Sequence, residues 1–261
     1  MGGYGWVSLT SDYGTADGFA AACRGVIARI APQVRVIDIT HQVAPADVTR
    51  AAAVLAQTVP HLPPAVHLAV VGPSVTTGRP GIAVRCAGGV LVGPDNGLLP
   101  WAAGALGGID AVVELANPDW LPAAVSRTFH GRDVLAPVAA HLAAGAPLEQ
   151  AGPPVDPGTL VQLPDPVVTS GDGWLEAEVL TVDRFGNVQL AAAGTTLDRL
   201  GSELLVGGMR ASRRTAFADA PPGELVVFDD SAGRVAIAVN GGRAVVLLSV
   251  NPGDLVHIGT P

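Results

Sequence analysis

The sequence predicts an α/β amino-terminal domain with a mostly parallel sheet, followed by an all-β carboxy-terminal domain. Three observations carry this. Between Trp6 and Ala144, apolar runs of strand length alternate with helix-length segments, the pattern of a parallel sheet covered by helices. From Gly152 to Asp165 the chain is rich in Pro, Gly and Asp and reads as an irregular linker. Beyond it, short alternating runs follow one another between turn residues, as in a small barrel or sandwich. The expected division is 1–152 for the first domain, 153–166 for the linker and 167–261 for the second.

The elements follow in order. Trp6 to Thr10 is a short buried strand, and the polar stretch Ser11 to Gly18 leads to a helix from Phe19 to Ile30, stopped by Pro32. Val34 to Ile39 is a second strand, Asp47 opens a helix ending near Thr58, and Val66 to Val71 is a third strand. Ile82–Cys86 and Val90–Val92 form a hairpin, Gly93 to Gly97 a turn, and Val112 to Leu115 one more strand. A polar cluster, Thr128-Phe129-His130-Gly131-Arg132-Asp133, feeds an apolar helix that closes at Gly145. In the second domain the expected strands are Leu175–Val182, Val188–Leu190, Glu203–Val206, Glu224–Phe228, Val235–Val239, Ala244–Leu248 and Leu255–Ile258.

Composition excludes several classes. Hydrophobic residues are 49% of 261, enough for real cores. No apolar run reaches the length of about 18 residues that a membrane span needs, and Met1 to Trp6 carries no basic, signal-like segment, so a cytoplasmic protein without a membrane partner is expected. The net charge is −8 without a basic block, which argues against a nucleic-acid partner. Cys23 and Cys86 lie in apolar contexts and read as buried thiols. His41, His61, His67 and His130 lack ligand spacing, so no metal is expected.

Chemistry is expected beyond the carboxyl ends of the parallel strands, where open sheets bind ligands. Asp12, Asp17 and the loop from Gly72 fall there. Either aspartate could cap a helix. Alternatively, one carboxylate grips the two hydroxyls of a ribose and the other meets an ammonium. His130 just precedes a helix start, where outward amides favour electron-rich groups. Asp183-Arg184-Phe185-Gly186-Asn187 breaks a strand; it is a turn or bulge around Gly186, or Asn187 holds an adenine or ribose edge. Ser231-Ala232-Gly233 and Val239-Asn240-Gly241-Gly242 read as hairpin turns.

Six short motifs occur in one order: Ser11-Asp12-Tyr13-Gly14, Asp38-Ile39-Thr40-His41, Pro94-Asp95-Asn96-Gly97-Leu98-Leu99, Phe129-His130-Gly131-Arg132-Asp133, Asp183-Arg184-Phe185-Gly186-Asn187 and Ala238-Val239-Asn240-Gly241. Together they resemble the S-adenosylmethionine hydroxide adenosyltransferases, hydrolase relatives of the fluorinase and chlorinase enzymes, over nearly the whole chain. The resemblance implies a carboxy-terminal β-barrel and a homotrimer that binds S-adenosylmethionine between subunits. The sulfonium compound is then the substrate and no cofactor is implied. By position, Asp12 matches the ribose carboxylate and Asp17 the contact to the methionine ammonium. Phe129, Asp183 and Asn187 fall at ligand-contact positions; Phe185 and the backbone of Val239 and Gly241 are similar to the adenine wall. Ser231 matches a contact to the methionine carboxylate.

The implied reaction is hydrolysis to adenosine and L-methionine. Family hydrolases place an Asp, an Arg and a His around the attacking water. Arg79 matches the Arg and His130 the His, but the Asp falls on Gly72, where Val71-Gly72-Pro73-Ser74-Val75-Thr76 replaces Val-Asp-Pro-Gly-Val-Gly. Slow hydrolysis is therefore expected. One alternative is halide attack, for which Gly131 is expected to leave room, although the halogenases carry Tyr at the positions of Gly72 and His130. Another is a protein that binds S-adenosylmethionine without turning it over.

Overall fold

The computed structural model describes residues 3–72 and 80–261. Arg79, Ser74, Val75, Thr76 and Thr77 lie outside the described residues. The chain divides into two compact units, Met1–Leu163 and Pro164–Pro261.

The first unit contains β1 (Trp6–Ser11), α1 (Phe19–Ile30), β2 (Arg35–Thr40), α2 (Val48–Thr58), β3 (Ala65–Val70), β4 (Gly81–Cys86), β5 (Gly89–Pro94), α3 (Leu98–Ala105), β6 (Ala111–Glu114) and α4 (Ala136–Ala143). The sheet runs β2-β1-β3-β5-β4-β6. β1 lies parallel to β2 and β3, and β3 parallel to β5. The β4–β5 hairpin reverses direction, so β4 is antiparallel to both β5 and β6. Two apolar layers sandwich this sheet. α1 and α4 bury Cys23, Ile27, Val138 and Leu142 against Val7, Leu9, Val66 and Leu68. α2 and α3 bury Leu55, Leu98 and Leu99 against Ala69, Val71, Ile82 and Leu91. The central strand β3 is buried along its whole length, which is why it reads as an unbroken apolar run.

α1 and the expected hairpin form where the sequence places them. α3 was not among the expected elements. It is apolar on nearly all sides and follows Gly97, whose φ of +92° suits glycine. The helix after His130 starts as a π-turn over Gly131–Leu135 before α4 continues it. The stretch after Gly152 packs on this unit: Val155 N–H donates to Val112 O (2.9 Å) and Leu160 is buried beside Leu98.

The second unit contains β7 (Val168–Gly171), β8 (Trp174–Val182), β9 (Val188–Ala193), β10 (Glu203–Val206), β11 (Met209–Arg213), β12 (Leu225–Asp229), β13 (Arg234–Val239), α5 (Ala244–Leu248) and β14 (Leu255–Gly259). The strand order is β14-β10-β11-β12-β13-β9-β8-β7, and pairing of β14 with β8 closes it into a barrel. Leu175, Val188, Leu190, Val227 and Ile237 fill the interior. Residues 244–248, expected as a strand, are instead the helix α5. Ala244, Val245 and Leu248 pack on the barrel core while Val246 and Leu247 are exposed, a one-sided packing that a helix turn gives. The Val239–Gly242 turn accordingly leads from β13 into α5 and joins no hairpin.

Candidate active site

Asp12 follows the last residue of β1, and Gly72 lies just beyond the end of the neighbouring parallel strand β3. Asp12 Oδ2 accepts from the amides of Ala46 and Gly72, each at 3.0 Å. One carboxylate oxygen thus pins two loops. Ala46 sits at φ +64° and Gly72 at φ +91°, so both pinned residues lie in the left-handed region that L side chains resist. The capping alternative does not hold for either aspartate: the N-cap of α1 is Gly18, with no side-chain cap, and α2 is capped by Asp47. Asp17 is exposed in the segment before α1.

Behind Asp12 lies a hydrogen-bonded chain. Ser11 Oγ meets His41 Nδ1 at 2.7 Å, His41 Nε2 meets Asp38 Oδ1 at 3.0 Å, and Arg24 holds Asp38 through Nε at 2.9 Å. Arg24 Nη2 also lies 3.2 Å from His41 Nε2, so that nitrogen faces both the Asp38 carboxylate and the guanidinium while Nδ1 faces the Ser11 hydroxyl. Ser11 is fully buried and cannot act as a nucleophile on a ligand. The chain braces the corner that presents Asp12. Asn96 braces the other side: its Nδ2 donates to Val71 O at 2.9 Å.

His130 caps the π-turn, and its Nδ1 is buried with no partner among the described residues. Below it, Asp133 is buried and paired with Arg132 through Nε (2.5 Å) and Nη2 (2.7 Å), with Ser126 N–H donating at 2.9 Å. These bonds, the Arg132 guanidinium first, hold the Asp133 carboxyl below its ordinary range. The Arg132 guanidinium also lies over the Phe129 ring, 4.8 Å from its centroid.

Gly131 does not leave the expected room. A Cβ there would lie 2.1 Å from Tyr13 Oη, so the tyrosine hydroxyl already occupies that space. The Tyr13 ring is held by Phe19 and Phe129, each with its centroid 5.7 Å away. Burial pushes its phenol well above the usual range, which keeps it a proton donor. The structure therefore brings Asp12, Tyr13, Gly72, Phe129 and Gly131 to one end of the sheet. Tyr13 was missed as a site residue because only the fold lays it across a glycine more than a hundred positions away.

In the second unit, Asp183 Oδ1 accepts from Phe185 N (2.9 Å) and Asn187 N (2.8 Å), and Oδ2 from Asn187 Nδ2 (2.8 Å). This closes a tight loop through Gly186 at φ +87° and leaves Phe185 73% exposed at its tip. The turn after Val239 lies alongside, because Val245 N–H donates to Gly186 O at 3.0 Å. Gly241 sits in that turn at φ +74°. Ser231 is at the opposite end of β13, a strand roughly 17 Å long at ordinary rise. A ligand touching both ends must be extended.

Both thiols are buried and unpaired, and burial pushes Cys23 to about 12 and Cys86 to about 11, so neither is a nucleophile near neutral pH. Among the described residues no group of three His, Cys, Asp or Glu side chains could hold a metal ion, and no helix is long and apolar enough to cross a membrane.

Two family models match the chain: the SAM hydroxide adenosyltransferase N-terminal domain over residues 7–152 and the corresponding C-terminal domain over residues 177–257. The chain is 63% identical to a protein of Salinispora arenicola named (R)-S-adenosyl-L-methionine hydrolase, covering 97% of each. It is 29% identical, over 90% of each chain, to a fluorinase of an Actinoplanes species. A crystal structure of an uncharacterized conserved protein from Thermotoga maritima superimposes with a TM-score of 0.90 at 35% identity, over 97% of this chain and 99% of that one. With two matched domains in sequence and end-to-end identity to a named hydrolase, the chain belongs to the SAM hydroxide adenosyltransferase family.

Proposed function

We propose that this protein is an S-adenosyl-L-methionine hydrolase. Water attacks the ribose C5′, the C5′–S bond breaks, its electron pair returns to sulfur, and adenosine and L-methionine leave. The observation that carries this reading is the gathering of Asp12, His130 and Gly131 beyond the sheet in a chain so similar to a named hydrolase.

The sulfonium leaves as a neutral thioether, so no general acid is required. The protein's tasks are to align water, carbon and sulfur and to exclude bulk solvent. Asp12 Oδ1 accepts a ribose hydroxyl, with Oδ2 already fixed by two amides. Asp17 meets the methionine ammonium. The imidazole of His130 takes the proton that the water loses, and Arg79, which matches the family's Arg, orients that water. A positioned base contributes about 10²–10⁴-fold, so Gly72 in place of a carboxylate slows the reaction without removing alignment. Phe185 and the Val239–Gly241 backbone flank the adenine, Asp183 and Asn187 shape that loop, and Ser231 meets the methionine carboxylate. The separation of Ser231 from Val239 along β13 suits a ligand with adenine at one end and an amino acid at the other. We further propose a cytoplasmic homotrimer. The exposed Phe185 ring supports assembly around the ligand.

The test is to incubate the purified protein with S-adenosyl-L-methionine, with and without chloride, and identify the nucleoside. Adenosine under both conditions supports the reading. A 5′-halogenated nucleoside, or tight binding without turnover, overturns it.

A further inference from the structure

We propose that Tyr13 selects the nucleophile: its hydroxyl fills the space that Gly131 would otherwise leave open and reserves the position facing C5′ for water over a halide. This rests on the reading of the His130–Gly131 turn as the wall behind the attacked carbon.

Gly131 is not in a left-handed conformation, so its backbone does not require glycine. What excludes a side chain is Tyr13: an added Cβ would stand 2.1 Å from Oη, 3.2 Å from Cζ and 3.1 Å from Val70 Cγ1. The phenol has in effect replaced a side chain at position 131. Its ring cannot easily retreat, because Phe19 and Phe129 hold it and pack on one another at 5.2 Å in edge-to-face contact. Ring packing alone would be met equally by phenylalanine, so the oxygen is the part that needs a reason.

Water and a halide make different demands. Water is small, donates and accepts, and loses a proton when it forms the C5′–O bond. A halide gives up its hydration shell, needs a pocket of its own size lined by donors, and loses no proton when the C5′–X bond forms and the C5′–S pair returns to sulfur. The hydroxyl over Gly131 takes the volume a chloride or bromide would use, so selection is by size and favours the smaller water. Relatives that use a halide exist, since fluorinases align over most of this chain.

The experiment compares wild type with Tyr13→Phe, which keeps the ring and its packing. Each is incubated with S-adenosyl-L-methionine in chloride and in bromide, and the ratio of 5′-halogenated nucleoside to adenosine is measured. We expect the ratio to rise about tenfold or more, the scale on which a one-group change in a pocket discriminates. An unchanged ratio overturns the proposal, because a merely structural tyrosine would leave product identity alone. If wild type releases adenosine and the ratio does not move, selection by Tyr13 fails and the hydrolase reading stands. If wild type yields no adenosine but Tyr13→Phe makes the halogenated product, the hydrolase reading fails and selection by Tyr13 stands. If neither protein yields any nucleoside, both fail. Tyr13→Leu, scored in the same way, guards against a phenylalanine ring that shifts to refill the gap, and melting curves confirm that each variant is folded.

Discussion

The contact between Tyr13 and Gly131 makes a quantitative prediction for Gly131→Ala. The π-turn backbone accepts alanine, and in a helical position alanine is favoured over glycine by about 1 kcal/mol. Against this stands a Cβ placed 2.1 Å from Tyr13 Oη, which forces the ring out of its Phe19–Phe129 clasp. Overpacking of this kind costs about 1–3 kcal/mol. The net expectation is a loss of up to about 2 kcal/mol, or up to about 4–8 °C in Tm for a unit of this size. In a Tyr13→Phe background the shortest contact disappears. The remaining ones, 3.2 Å to Cζ and 3.1 Å to Val70, need shifts of only tenths of an ångström, so alanine there is neutral or mildly stabilising. Chemical unfolding of the four proteins gives the coupling directly. A penalty that is equal in both backgrounds, within about 0.5 kcal/mol, refutes the steric account.

Other consequences follow from the same geometry. His67 is fully buried, with Nδ1 2.8 Å from Ser8 Oγ, and burial lowers its pKa to about 4. The unfolded chain binds that proton at about 6.5. Its contribution is therefore complete above that pH and is lost as pH falls toward 4, a change of about 3 kcal/mol. Urea unfolding between these limits shows this slope in wild type and a shallower one in Ser8→Ala/His67→Leu; parallel slopes contradict it. Gly72→Asp places an L residue at φ +91° with its Cβ 3.3 Å from Val48 Cγ2, costing about 1–2 kcal/mol in stability. It also restores a carboxylate near the water and speeds adenosine release by about 10–100-fold. No gain, with ligand binding intact, counts against a role for that position. Phe185→Ala removes a ring that is 73% exposed. Stability should stay within about 0.5 kcal/mol while calorimetry shows weakened S-adenosyl-L-methionine binding; unchanged affinity takes Phe185 out of the ligand site.

Much of the fold was legible because it is written in local periodicity. α1 ends where Pro32 forbids continuation, and β3 reads as a buried run because both its faces are covered. The failures share a cause. Residues 244–248 are Val- and Leu-rich and look like a strand, but Ser249 at φ +54° ends a short helix there, set by the turn after Val239. α3 went unseen because it is apolar all round and carries Pro100 and Gly104, so no amphipathic stripe marks it. At the candidate site, Asp12, His130 and Gly131 are singled out by their motifs, whereas the contacts of Tyr13, Asn96 and the Ser11–His41–Asp38 chain join distant parts of the chain. Spacing within one motif cannot report such contacts. The room attributed to Gly131 was misjudged for the same reason, since what fills a glycine's space is set by its neighbours in three dimensions.

The central claim is that water displaces methionine at C5′. The most direct measurement is turnover of S-adenosyl-L-methionine in water enriched in heavy oxygen, followed by mass spectrometry of both products. The account predicts adenosine that carries the label in its 5′-hydroxyl and methionine that carries none. Unlabelled adenosine, or no nucleoside from protein that binds the compound, would contradict it.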